Sequence, residues 1–190
     1  MEHLDPKEQL EFDGLMRQAI LQCQKHSYEL ALAILEDAIE LANFDEDDPY
    51  PFWCQADLAS LDSILAVCYQ EQGKLAEAYY HIRRALLILD DSLDDDEIDF
   101  LFNELSDLHP LRTGPRESLD QIHEPFFDIA RDLADSPACA AYPGLIEILV
   151  KQGMKNAEQE FGKDNATTEQ IYKEFACPIL DRSKCGQMES

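Results

Sequence analysis

The sequence predicts an all-α protein made of antiparallel helix–turn–helix repeats that stack side by side and end in capping helices. Three observations point to this class. Apolar residues recur with the 3.6-residue period of amphipathic helices over most of the chain. Only seven glycines occur in 190 residues, and long alternating runs of β-branched residues are absent. Alanines also recur at one fixed offset, which indicates two copies of one unit.

The central unit spans residues 59–90, where two amphipathic helices flank a glycine. The first helix has a periodic apolar face, formed by Leu61, Ile64, Leu65, Cys68 and Tyr69. Gly73 follows, where the chain needs a residue that tolerates a positive φ. The second helix begins at Leu75, and its apolar stripe consists of Ala78, Ile82, Ala85, Leu86 and Leu89. Because Ala66, Ala78 and Ala85 have almost no side chain, we expect these helices to approach closely where they cross.

A second, more degenerate copy of this unit precedes the first. Asp5-Pro6 predicts a helix start, with an N-cap acceptor followed by proline at the first helical position. That helix continues to Gln24, and the next runs over residues 28–42. An offset of 47 residues places Ala31 on Ala78, Ala38 on Ala85 and His26 on Gly73. The shared register predicts that both units fold in the same way.

The pattern resembles the tetratricopeptide repeat, whose unit is a helix–turn–helix of about 34 residues. The matching positions are Leu65, Ala66, Tyr69, Gly73, Ala78, Ile82 and Ala85, whereas Asp62 and Asp90 replace the aromatic and the proline of the pattern. The longer offset, with an acidic loop at residues 43–51, is similar to the repeats of kinesin light chain. The resemblance covers residues 12–108 and implies a stacked α-solenoid with a concave groove for a partner.

Breaks in the pattern divide the chain into three parts. Residues 1–134 are predicted to form the repeats, which span 12–42, 53–90 and a degenerate 96–133. Trp53, at the start of the second repeat, is either a hydrophobic staple at the helix entry or an exposed anchor for a partner. Pro125 is expected to kink the last of these helices. Residues 135–176 are predicted to form capping helices, one starting at Tyr142-Pro143 and one capped by Thr167. Residues 177–190 are predicted to be a flexible tail.

Composition restricts the partner. The formal net charge is −25 and the pI is about 4.2, and residues 1–110 carry 26 Asp and Glu against 6 Lys and Arg. Such a surface repels nucleic acid and anionic lipid and favours a basic segment, although the charge also serves plain solubility. No run of eighteen apolar residues or signal-peptide core occurs. We therefore expect a cytoplasmic protein without a membrane partner, its six cysteines reduced.

Motifs for chemistry are absent. Asp90, Ser92, Asp94 and Asp96 alternate as in a calcium loop, but Asp95 and Leu101 occupy the positions that require glycine and glutamate. The five histidines show no zinc spacing, and no nucleophile or phosphate-binding motif occurs. The sequence therefore predicts neither a metal, nor a cofactor, nor catalysis. A Cys–His pair that meets only in space stays open as an alternative.

The family resemblance implies which residues face a partner. On the first helix of each repeat these are Asp13, Met16, Ile20, Cys23 and Gln24, then Ser60, Ser63, Val67, Gln70 and Glu71. The Lys, Asn and Arg of a carboxylate clamp do not occur there, so the groove suits a segment with apolar anchors and basic flanks. Met16 and Ile20 could instead pack against a neighbouring helix.

We expect a non-catalytic adaptor or chaperone that binds a partner polypeptide. The alternatives are a Cys/His-dependent enzyme or regulatory domain and a structural subunit of a homodimer, and the oligomeric state stays open.

Overall fold

The computed structural model describes residues 6–42, 55–90 and 123–185, and all regular structure in these ranges is helical. The elements are α1 (Pro6–Gln24), α2 (Tyr28–Ala42), α3 (Gln55–Glu71), α4 (Leu75–Ile88), α5 (His123–Ala134), α6 (Ala138–Ala141), α7 (Leu145–Phe161), α8 (Ala166–Ile171), a π-helical turn (Tyr172–Ala176) and α9 (Cys177–Cys185). The predicted all-α class is confirmed. Predictions for Trp53, the acidic loop 43–51, the calcium-like aspartates after Asp90 and the helix at 96–108 lie outside the described residues.

Two helical hairpins, α1–α2 and α3–α4, close with the same backbone turn. His26 and Gly73 both have positive φ, at 59° and 76°. The Ser27 N–H donates to the Gln22 carbonyl at 2.9 Å, and 47 residues later the Lys74 N–H donates to the Tyr69 carbonyl at 2.9 Å. This six-residue closure is the Schellman helix ending, which favours a left-handed residue. The predicted alignment of His26 with Gly73 is therefore found in the backbone itself.

Helix α3 lies at the centre of the molecule. Each residue from Ala56 to Cys68 is buried, because α1, α2, α4, α5 and α7 all pack against it. Ala66 on α3 and Ala85 on α4 are fully buried, and the two helices pack against each other. The Ser60 and Ser63 hydroxyls donate to the carbonyls of Ala56 and Ala59 at 2.5 Å, so their polarity is satisfied within the helix.

A buried carboxylate, that of Asp62, connects the two helices of the second hairpin. Asp62, at the position where the family pattern has an aromatic residue, accepts from the His81 Nδ1 at 2.7 Å and pairs with the Arg84 Nε at 3.4 Å. Both partners lie one turn apart on α4. The departure from the pattern thus replaces an apolar contact between α3 and α4 by a charged one.

The C-terminal half packs differently from the expectation. Helix α7 contacts α1, α3 and α5, so it covers the face formed by the first helices of the two hairpins instead of capping the end of a stack. Besides Gln152 and Asn156, the residues that it buries are apolar or small, as expected for an amphipathic helix: Leu145, Ile146, Ile148, Leu149, Val150, Gly153 and Ala157. This stripe needs an apolar surface, and the floor of the predicted groove supplies one.

Several local predictions are corrected. Pro125 stands in the first turn of α5, where backbone N–H groups have no intrahelical acceptor, so it need not kink the helix. The helix predicted from Tyr142 begins at Leu145, after Gly144 with a φ of 91°. The cap of α8 is Asn165, whose Oδ1 accepts from the Thr167 N–H at 2.9 Å, and not Thr167. Residues 177–185 of the predicted tail form α9, because Ile179 is buried against the core.

Candidate functional site

The ten residues predicted to face a partner come together on one face, formed by α1 and α3. Most of this face is not accessible: Met16, Ile20, Ser60, Ser63 and Val67 are each at most 2% exposed. The prediction of an open groove is therefore wrong over most of its length. The chain's own α6 and α7 cover the face, and the alternative that Met16 and Ile20 pack in the core is the one observed.

Close backbone approach holds the covering segment in place. Gly144, between α6 and α7, lies directly over α1, and a Cβ atom added there would lie 3.5 Å from Ile20 Cγ2 and collide with the Gln24 side-chain amide. Beside it, the Arg17 Nε donates to the Ala141 carbonyl at 2.8 Å. The φ of 91° at this turn favours glycine, and any side chain at position 144 would also require the Gln24 amide to move.

One end of the covered face is closed by a buried polar cluster. The Tyr142 hydroxyl lies 2.7 Å from Asp57 Oδ1 and 3.0 Å from Asp13 Oδ1, and the Gln9 amide donates to the carboxylates of Asp13 at 3.0 Å and Asp57 at 3.3 Å. Burial raises the pKa of Asp57 above its ordinary value, although the hydrogen bonds from Tyr142 and Gln9 oppose this shift. Burial and the neighbouring carboxylates likewise raise the pKa of Tyr142. The hydroxyl therefore stays a hydrogen-bond donor.

Amide side chains join α3 to α7 toward the other end. The Gln70 Nε2 donates to the Asn156 Oδ1 at 2.6 Å, and the Asn156 Nδ2 returns a bond to the Gln70 Oε1 at 3.3 Å. The Gln152 amide also donates to the Asn156 Oδ1, and Lys155 pairs with Glu71. Gln70 and Glu71 were predicted to contact a partner segment. In the structure they contact the chain's own helix α7.

Beyond these contacts the face ends in a cavity of about 460 Å³, here called the groove-end cavity. Cys23, Val67 and Glu71, all predicted site residues, line one side of it. Gln24, also a predicted residue, lies next to them at the end of α1. The other side comes from His26 and Tyr28 at the α1–α2 turn and from five residues of α7: Glu147, Ile148, Lys151, Gln152 and Lys155. Its floor is apolar, and its charges are paired, because Lys151 binds Glu147 at 2.6 Å and Lys155 binds Glu71.

Cys23 at the cavity contacts another thiol. Its sulfur lies 3.4 Å from the Cys68 sulfur, whereas the His26 Nδ1 lies 2.9 Å from the Tyr28 hydroxyl. The hydrogen bond with Cys23 and burial raise the pKa of Cys68. Burial and Glu71 raise the pKa of Tyr28 to about 12. Since a thiolate is the reactive form of cysteine, this arrangement differs from the thiolate–imidazole pair that the enzyme alternative requires.

The structure shows two features that the sequence analysis missed. The Tyr142–Asp57 cluster joins residues 85 positions apart, and no local pattern indicates such a pairing. The contacts of Asp62 could have been predicted from the sequence. A carboxylate at an apolar position of the repeat pattern needs polar partners, and the next helix carries His81 and Arg84.

Searches of protein-family models, curated proteins and solved structures with this chain find no match. No helix in the described ranges has the length and apolar composition of a membrane crossing. Within the same ranges, no three His, Cys, Asp or Glu side chains are grouped as metal ligands. The resemblance to tetratricopeptide repeats therefore stays a prediction, supported by the paired hairpins and their common turn.

Proposed function

We propose that the protein is a non-catalytic protein-binding module, an adaptor or chaperone, which holds a short segment of a partner polypeptide in the groove-end cavity. One observation carries the proposal: Cys23, Val67 and Glu71, predicted to face a partner, line a cavity of about 460 Å³ between this face and α7. This volume lies within the usual range for ligand pockets.

The way in which α7 packs on the covered part of the face favours a polypeptide as the ligand. It already holds a helix, α7, through an apolar stripe and the Gln70–Asn156 amide pair. A partner segment in the cavity would extend this mode of binding, with an apolar side chain against Val67 and Ile148. Glu71 and Glu147 would then exchange their lysine partners for basic groups of the segment, which agrees with the acidic composition of the chain.

Site-specific photocrosslinking tests the proposal. A benzophenone amino acid replaces Lys151 at the cavity, and a control replaces Lys7 at the N-terminal end of α1, whereas Cys23 and Gln24 of the cavity lie at its C-terminal end. Both lysines are exposed positions on helices, so the label is accessible at either site. We expect a protease-sensitive adduct of defined mass from native lysate at Lys151 alone. No adduct there, or equal adducts at both positions, would contradict the proposal.

A further inference from the structure

A second groove, which shares no lining residue with the groove-end cavity, lies between α5, α8 and the π-helical turn. Its volume is about 490 Å³. Phe127 of α5 forms the floor and is 2% exposed, whereas Phe175 of the π-helical turn forms a wall and is 40% exposed. The two rings stack with their centroids 5.9 Å apart and their planes at 22°. Phe161 and Ile171 complete an apolar lining, and we call this surface the aromatic groove.

Carboxylates surround the aromatic groove. Its lining includes Glu124, Asp128 and Glu174, together with the polar Thr167 and Gln170, and no lysine or arginine belongs to the described lining. The Gln170 amide donates to the Glu174 carboxylate at 2.9 Å and orients it. Asp128 is paired with Arg131 at 2.8 Å, so most of the free negative charge is on the two glutamates. The groove thus combines an apolar floor with a negative rim.

The π-helical turn explains why an aromatic ring is exposed here. The buried positions along this segment are Thr168, Ile171, Ala176 and Ile179, with steps of three, five and three residues. A regular α-helix would turn residue 175 inward after Ile171. The wider turn adds one residue, so that Ala176 is buried while Glu174 and Phe175 face the groove. Such turns are rare and are found frequently at functional sites.

We propose that the aromatic groove docks a basic polypeptide segment that carries one apolar anchor side chain. Charge complementarity selects this occupant: the anchor packs against the exposed part of the Phe175 ring within the apolar lining, and flanking lysines or arginines meet Glu124 and Glu174. A guanidinium can also lie over the half-exposed face of Phe175. A second copy of this chain is disfavoured, because two molecules of net charge −25 repel each other.

The test measures binding of three labelled peptides to the full chain by fluorescence anisotropy. The first peptide has a central phenylalanine flanked by lysines and arginines, the second has alanine in place of phenylalanine, and the third has glutamate flanks. We expect the first to bind about tenfold or more tightly than the second, since a buried aromatic anchor is worth at least that factor. The third is expected not to bind.

Variants distinguish the groove from the overall charge of the chain. Phe175→Ala should abolish the preference for phenylalanine over alanine, and Glu174→Lys should weaken binding of the first peptide about tenfold. Glu29→Lys makes the same charge change at an exposed glutamate of α2 and should leave the affinity within about twofold. Equal affinities for the first two peptides, or an equal loss with Glu29→Lys, would overturn the proposal.

Two further measurements cover the other outcomes. If Phe175→Ala unfolds in circular dichroism, Glu174→Lys and the alanine peptide decide the result alone. If sedimentation shows that the wild type dimerises and Phe175→Ala does not, the occupant is a second copy and the proposal is wrong. Lys151→Trp fills the groove-end cavity and should leave peptide affinity unchanged, so that this inference and the proposed function fail separately.

Discussion

The Tyr142 hydroxyl donates a hydrogen bond of 2.7 Å to the Asp57 carboxylate across the boundary between the C-terminal half and the helical hairpins. Both residues are buried, and Asp57 belongs to the central helix α3. A buried carboxylate is unfavourable unless its hydrogen bonds are made, so α3 and the segment before α7 depend on each other. This contact also shows why the predicted groove is covered: the polar atoms at its edge are satisfied by the chain itself.

The raised pKa of Asp57 predicts how stability depends on pH. In the folded protein this carboxyl holds its proton more tightly than in the unfolded chain. The folded state therefore binds more protons above the ordinary aspartate value of about 3.9, and stability falls as the pH rises through the folded pKa. Asp57→Asn should remove this contribution, so the variant should lose less stability between about pH 4 and pH 7 than the wild type does.

Urea unfolding at a series of pH values, followed by circular dichroism, measures this difference. Asp37→Asn, which removes an exposed carboxylate of α2, is the control for the change in composition. An identical pH dependence for Asp57→Asn and the wild type would show that Asp57 is ionised in the folded protein at no extra cost.

The Gln70–Asn156 amide pair predicts a measurable coupling between α3 and α7. Gln70→Leu leaves the largely buried Asn156 with fewer partners, and the expected loss of unfolding free energy is about 1–3 kcal/mol. Asn156→Leu should have a similar effect. The double variant should lose less than the sum of the two, by about 0.5 kcal/mol or more, because Gln70 and Asn156 no longer leave each other unpaired, whereas Gln152 loses Asn156 in the single and the double variant alike. Strict additivity in the double-mutant cycle would contradict a contribution of this pair to stability.

The hairpins could be predicted from the sequence because their signals are local. The apolar period located α1 to α4, and the 47-residue offset aligned His26 with Gly73, which share a positive φ. The position of α7 could not be predicted in the same way. Its pattern shows that one face is buried, but a stripe of leucine and isoleucine fits any apolar surface. Only three-dimensional contacts, such as Gly144 over Ile20, select the groove.

The same limit applies to the candidate site. The family positions lie together on one face of α1 and α3, but Met16 and Val67 proved to be core residues, since the helix that covers them lies far along the chain. The aromatic groove had no sequence signal, because Phe175 is exposed only through an irregular turn whose period differs from that of an α-helix.

The burial of Ile20 predicts that its side chain stabilises the fold and does not contact a partner. Ile20→Ser should lower the unfolding free energy by about 2–5 kcal/mol, because it removes a core side chain beneath Gly144 and buries a hydroxyl. The neighbouring Leu21 is 45% exposed on the same helix, and Leu21→Ser should cost far less. Chemical denaturation compares the two variants. If Ile20→Ser kept the stability of the wild type, Ile20 would belong to an open groove after all.

The thiol pair predicts a pattern of chemical reactivity. Because Cys23 and burial raise the pKa of Cys68, little thiolate is present at neutral pH. Cys177 is partly exposed on α9 and should react with iodoacetamide roughly tenfold or more faster than Cys68 in the native protein. Timed alkylation followed by peptide mass mapping measures both rates. In urea the two rates should converge, and equal rates in the native protein would show that the sulfur of Cys68 is accessible.

The final prediction concerns the close packing of α3 and α4. Ala78 is 3% exposed on the inner face of α4, whose most extensive contact is with α3. Ala78→Leu adds three heavy atoms at this buried position, so we expect overpacking to lower the unfolding free energy by about 1–3 kcal/mol. Ala76→Leu places the same side chain at an exposed position two residues earlier and should change little. Urea denaturation of both variants decides the matter: similar stabilities would mean that alanine at position 78 is not needed for the two helices to approach.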